Sequence, residues 1–118
     1  MLYIDQPVGT GLSFTTGRNY PRNDKEVNED FYYFLQSFLR VHADKFVKDQ
    51  RLNRGFYFSG ESHAGHYIPS MIAYILDQNE NAVENQNVYC PVSGAAIGNG
   101  WVDPFHQYSG QFLVFAKR

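Results

Sequence analysis

The chain has 118 residues, a length suited to one small domain, with 43% hydrophobic residues and a formal net charge of −2. The apolar content supports a buried core and excludes a disordered chain. The charge supplies no basic stripe of the kind that binds nucleic acid, and no run of about 18 apolar residues could span a membrane.

In chain order, "MLYID" (Met1 to Asp5) is a short apolar run with β-formers and predicts a buried strand. "QPVGTGLSFTTGRNYPRN" follows, and its two prolines and three glycines predict a sharply turning loop. A helix comes next. Val27, Phe31, Phe34, Leu35, Phe38 and Leu39 fall at offsets of 0, 4, 7, 8, 11 and 12, one face of an α-helix. Asn23 or Asp24 suits its cap, and Glu26 suits the positive end of its dipole. This helix is expected to fade between Ala43 and Lys48. "KFVKDQRLNR" (Lys45 to Arg54), broken by Asp49, reads as a solvated helix end or loop.

"RGFYFSGE" predicts a strand, and "HAGHYIPSMIAYILDQ" a helix with Tyr67, Met71, Tyr74 and Ile75 along one side. Pro69 is expected within the first turn of that helix, where its missing N–H has no helical partner. "NENAVENQN" is a polar loop. In "VYCPVSGAAIGNG", Pro91 weakens the first half as a strand, and "GAAIGNG" predicts a short strand ending in a Gly-rich turn. The last segment, "DPFHQYSGQFLVFAKR", predicts a helix with Asp103 as cap and Pro104 in first position. The single cysteine, Cys90, cannot form an internal disulfide and is silent on redox compartment.

The alternation implies right-handed βαβ units and a parallel sheet with helices on both faces, an α/β fold. Three strands with open edges make a poor sheet of their own. Residues 1–118 are therefore expected to be an internal portion of one larger α/β domain, with Met1 an ordinary strand residue.

Gly60-Glu61-Ser62-His63-Ala64-Gly65 carries the chemistry. It joins a predicted strand to a predicted helix, so Ser62 can sit on a strained turn with its hydroxyl exposed: the nucleophile-elbow arrangement. Gly60 and Ala64 are the small residues that let such a turn close, and Gly65 follows one step on. The helix N-terminus favours an oxyanion, and the backbone N–H of His63 is the expected oxyanion donor.

At this point the sequence resembles a known family. "GESHAGHYIP" is similar to the "GESYAGHYIP" signature of the serine carboxypeptidases, peptidase family S10. "LYIDQPVGTGLSF" and "AAIGNGWVDP" are similar to the family's "DQPVGVGFS" and "IGNGLTDP" blocks, so the likeness spans essentially the whole chain. The resemblance implies an α/β-hydrolase-fold exopeptidase that removes C-terminal residues from peptides, works best at acid pH, and acts in vacuoles, lysosomes or secretions. It implies Ser62 as nucleophile through an acyl-enzyme, His63 as oxyanion donor, and Glu61 as a residue that binds the substrate's terminal carboxylate. A carboxyl beside a partly apolar elbow is pushed toward its neutral form, in which it can donate a hydrogen bond to that carboxylate. The implied partners are peptide or protein C-termini, with no cofactor.

His63 stands where the family usually has Tyr, which leaves substrate preference open, and Leu12 stands where Phe is common, an expected core change that the fold tolerates. His63 and His66 are spaced H-x-x-H, but a catalytic zinc typically takes three protein ligands and no third is apparent, so no metal is expected. None of His42, His63, His66 or His106 is assigned as triad base; His66 is expected to pack on its helix. In this fold the order is Ser, Asp, His, and Asp103 comes too soon. The family's upstream "NGGPG" segment is also not among these residues. The 118 residues alone are thus expected to be inactive. An acyltransferase of the same family, or a catalytically dead binding homologue, are the alternative readings.

Overall fold

The computed structural model describes residues 1–108. The first long element, α1 (Asp24–Val41), begins where the sequence supplies a polar cap. Asn23 is the N-cap: its Oδ1 accepts the Glu26 N–H at 3.0 Å, and Glu26 accepts in turn from Asn23 Nδ2 at 3.1 Å and from the Arg22 N–H at 2.7 Å. This is a variant of the capping box and decides between Asn23 and Asp24. Val27, Phe31, Leu35 and Leu39 are buried as the spacing predicts. Phe34 lies at the margin of that face, 39% exposed, against Phe31 and Phe38. Tyr32 and Gln36 widen the buried face on its other side.

After a single turn, α2 (Ala43–Phe46), the chain forms β1 (Val47–Lys48) and β2 (Arg51–Leu52), an antiparallel hairpin. This corrects the reading of Lys45 to Arg54 as a helix end or loop. Asp49 and Gln50 have φ of 51° and 57°, the paired positive values of a two-residue I′ hairpin turn. Two-residue strands are too short to show an alternation, and Asp-Gln lacks the glycine that announces such a turn. Leu52 is buried, and its N–H donates to the Tyr89 carbonyl at 2.9 Å, which ties the hairpin to the rest of the chain.

β3 (Phe56–Glu61) alternates half-buried and exposed residues, as a strand covered on one face does. α3 (Ala64–Asn79) leads from it, and β4 (Val92–Gly98) returns parallel to β3, with Phe56 opposite Val92 and Glu61 opposite Gly98. The βαβ order expected from the sequence is therefore present. Phe56 and Phe58 of β3 pack on the core built by α1 and α3, with Phe31 and Phe58 ring centroids 5.8 Å apart. Tyr57 points to the opposite, exposed face.

Two further sequence expectations need correction. Met1 to Asp5 is not in a strand, and Met1, Leu2 and Tyr3 are exposed. An apolar β-forming run becomes a strand only beside a partner, and none of the described residues pairs with it; the described parallel sheet is β3 and β4 alone. Pro69 is the sixth residue of α3, beyond the first turn. Its ring nitrogen therefore removes a helical hydrogen bond to the Gly65 carbonyl instead of replacing an unused donor.

Two buried amides organise the return to β4. Gln36 of α1 donates from Nε2 to the Val88 carbonyl at 3.0 Å and accepts the Val88 N–H at 2.8 Å. Asn79, the last residue of α3, does the same for Cys90, at 2.8 and 3.0 Å. Each side-chain amide presents the donor and acceptor that a neighbouring strand would otherwise supply. Cys90 is fully buried between them, and that burial pushes its thiol up to about 12. Ile75, also fully buried, is worth about 2–3 kcal/mol at that depth.

Candidate active site

β3 ends at Glu61 and α3 starts at Ala64, so Ser62 and His63 alone make the turn between strand and helix. Ser62 has φ of 58°, a left-handed conformation that costs a serine about 1–2 kcal/mol. The surroundings hold it there. Its N–H donates to the Gly98 carbonyl at 2.9 Å; its own carbonyl accepts from Gly65 N–H at 3.0 Å and from Trp101 N–H at 2.7 Å. Those bonds join the turn after β3 to the turn after β4.

The small residues have separate jobs. A Cβ on residue 60 would fall 2.5 Å from the Ala64 Cβ and 3.0 Å from Ile68 Cδ1, so with alanine at 64 only glycine fits at 60. A Cβ on residue 65 would fall 2.8 Å from both Gly100 Cα and Trp101 N. Gly65 is thus required by the turn after β4, which a G-x-S-x-G comparison alone does not reveal. Asn99 takes φ of 45° in that second turn, a region Asn enters more readily than most residues.

Ser62 and His63 are exposed and open onto a depression of about 480 Å³, lined also by Asn99, Gly100, Trp101, Gln107 and Tyr108. The backbone N–H of His63 donates to nothing among the described residues. Its imidazole lies between Tyr67 and Trp101, with centroids 4.5 and 4.9 Å away. His63 and Trp101 also line a second cleft of about 430 Å³, which reaches His66 and Asp24.

Glu61 closes β3 one residue before Ser62. Its side chain is exposed, so the apolar surroundings expected of it are not formed by the described residues. His66 does more than pack: its Nε2 lies 3.0 Å from Asp24 Oδ2, linking the first turns of α3 and α1. His42 packs against Phe38 with tilted rings whose centroids are 4.7 Å apart, at the end of α1. His106 pairs with Asp103, and this hydrogen bond holds the Asp103 carboxyl below its ordinary value. Asp103 Oδ1 also accepts the Phe105 N–H at 3.0 Å, so it caps the helical residues 104–108 as expected. The remainder of that expected helix lies outside the described residues. None of these histidines is hydrogen-bonded to Ser62 among the described residues.

Sequence reasoning missed Trp101 and Gln107. Both lie in the third block of the resemblance or just after it, but nothing in their spacing announces that the block folds back onto the serine turn.

Comparison with known proteins follows the same lines. The sequence profile described as "serine carboxypeptidase" (Peptidase S10) matches residues 1–117. "Serine carboxypeptidase S10 family member 2" of Dictyostelium discoideum is 44% identical over 108 residues, covering 91% of this chain and 18% of that protein. "Pheromone-processing carboxypeptidase KEX1" of Phytophthora infestans is 42% identical over 112 residues, covering 92% of this chain and 18% of its own length. The crystal structure of Kex1(delta)p, a prohormone-processing carboxypeptidase from Saccharomyces cerevisiae, superposes with a TM-score of 0.74 at 30% identity, covering 98% of this chain and 24% of that one. The chain spans less than a fifth of the length of these curated relatives, 18% in each case.

Proposed function

Since the chain belongs to the serine carboxypeptidase family and shares its α/β-hydrolase fold, we propose that residues 1–118 are an internal portion of a single hydrolase domain with Ser62 as its nucleophile. The observation that carries this reading is the backbone of Ser62: a serine at φ 58°, exposed on a two-residue turn between β3 and α3 and lining an open depression.

The reaction follows from that placement. Ser62 Oγ attacks the carbonyl of the last peptide bond and gives its proton to a general base. The carbonyl oxygen becomes an oxyanion, which the unengaged His63 N–H stabilises at the positive end of α3. The tetrahedral intermediate collapses, the base returns the proton to the departing amine, and the C-terminal residue leaves. Water then attacks the acyl-enzyme and releases the shortened peptide. The base and its acid partner come from chain beyond these residues, as does a second oxyanion donor.

Glu61 binds the terminal carboxylate. Protonated, it donates a hydrogen bond to it; ionised, it repels it. Its place beside Ser62 supports the role, since the carboxylate of the departing residue lies close to the scissile carbonyl. The names of two relatives give pheromone and prohormone processing as their work, and a secretory, vacuolar or lysosomal setting for this protein rests on the same likeness.

The test is reaction of the full-length protein with an alkyl fluorophosphonate, followed by peptide mapping. The expected adduct lies on Ser62 and disappears in Ser62→Ala. An unlabelled Ser62 in folded protein overturns the reading. Assay against peptides and against an acyl-glucose donor then separates a peptidase from an acyltransferase.

A further inference from the structure

The turn after β4 is pinned by one side chain that plays no part in the reaction above. Gln107 sits in the helical residues 104–108, and its amide makes three hydrogen bonds to the loop that precedes them. Oε1 accepts the N–H of Val102 at 2.7 Å and of Asp103 at 3.1 Å. Nε2 donates to the Gly100 carbonyl at 2.8 Å. The orientation of the amide follows from its partners, because the reverse would set donors against donors. Its own N–H donates to the Asp103 carbonyl at 3.0 Å, which closes the loop onto the helix.

What Gln107 holds is in contact with the serine turn. Trp101, between the two clamped ends, donates its N–H to the Ser62 carbonyl at 2.7 Å. Gly100, whose carbonyl Gln107 grips, packs against Gly65 with no space for a Cβ. Gly98, just before the loop, accepts the Ser62 N–H. Ser62 occupies a conformation that its own propensity opposes, so its geometry depends on these external bonds.

We propose that Gln107 is a positioning residue for the reaction: it fixes the loop from Gly100 to Asp103, and through Trp101 it sets the attack geometry of Ser62. This rests on Ser62 being the nucleophile. It predicts a particular electronic requirement at position 107. The side chain must accept from two N–H groups and donate to one carbonyl at once. An ionised carboxylate satisfies the first demand and repels the Gly100 carbonyl; a protonated one satisfies both.

The experiment measures fluorophosphonate labelling rates of full-length wild type, Gln107→Ala and Gln107→Glu, each as a function of pH and normalised to folded protein by circular dichroism. Gln107→Ala is expected to lower the rate about tenfold or more, since small misplacements of a reacting group carry effects of that size. The decisive measure is the ratio of Gln107→Glu to wild type. It is expected to rise several-fold between about pH 7 and pH 4, as a glutamate near its ordinary pKa becomes a donor. A purely structural role would shift the melting temperature and leave that ratio flat. A flat ratio, or an unchanged rate in folded Gln107→Ala, overturns the assignment of Gln107 while leaving Ser62 in place. Absence of labelling in wild type overturns both.

Discussion

Glu61 and Ser62 are adjacent, yet the strand and the turn give them different surroundings. Ser62 is held by three backbone bonds, whereas Glu61 ends β3 with its carboxyl free of the core. The proposed role of Glu61 makes a definite prediction. Glu61→Ala removes the group that would hold the terminal carboxylate and should raise KM for a blocked dipeptide about tenfold, with kcat changed less, measured in the full-length protein. Glu61→Gln retains a hydrogen-bond donor and should stay closer to wild type. If KM of Glu61→Ala matches wild type, Glu61 does not hold the carboxylate. Ser62 and His63 were legible as candidates because a nucleophile turn needs small residues at set positions, whereas Glu61 was legible only through the family resemblance. Gly65 was legible only as a motif letter; its reason, the approach of Gly100, depends on a contact across the chain.

Among the elements, those with many residues declared themselves and those with few did not. α1 repeats its apolar spacing from Val27 to Leu39 behind a polar cap, and it lies where that pattern puts it. The β1–β2 hairpin has four strand residues and no glycine in its turn, so charge dominated its reading. Met1 to Asp5 failed for another reason: strand propensity describes a residue's fit to a sheet, and the sheet neighbour is missing from the described chain. The amide clamps were equally invisible, because Gln36 and Asn79 look like ordinary polar positions. Asn79→Ala should expose their worth. It leaves the Cys90 N–H and carbonyl buried without partners, and the full-length protein should lose about 2 kcal/mol or more in urea unfolding, with the m-value unchanged. No change in the midpoint would mean that water replaces the clamp.

At the scale of the molecule, α1 and α3 build one core against a single face of a two-strand sheet. The other face presents Tyr57, which is 70% exposed, and the opening segment presents Phe14 and Leu12, the latter exposed and not in the core as expected, because none of the described residues covers that segment. Apolar surface of that kind suits chain that has more to pack against. The isolated 118 residues are therefore expected to show no turnover of a blocked dipeptide that Ser62→Ala abolishes. Turnover with that sensitivity would place a complete catalytic apparatus within these residues. The sequence conveyed the α/β order and the family blocks at this scale. It did not convey that the described sheet is limited to β3 and β4, since sheet extent is a matter of pairing, not of composition.

The bonds that shape Ser62 also carry a meaning in time. Gly65, close in sequence, can bond to the Ser62 carbonyl as soon as α3 forms, but Gly98 and Trp101 lie far along the chain. Loop closure over that distance delays their arrival until β4 has aligned beside β3. Before then the serine has no reason to leave the conformations a serine prefers. A newly made chain thus reaches the left-handed turn at Ser62 only once its own sheet has closed.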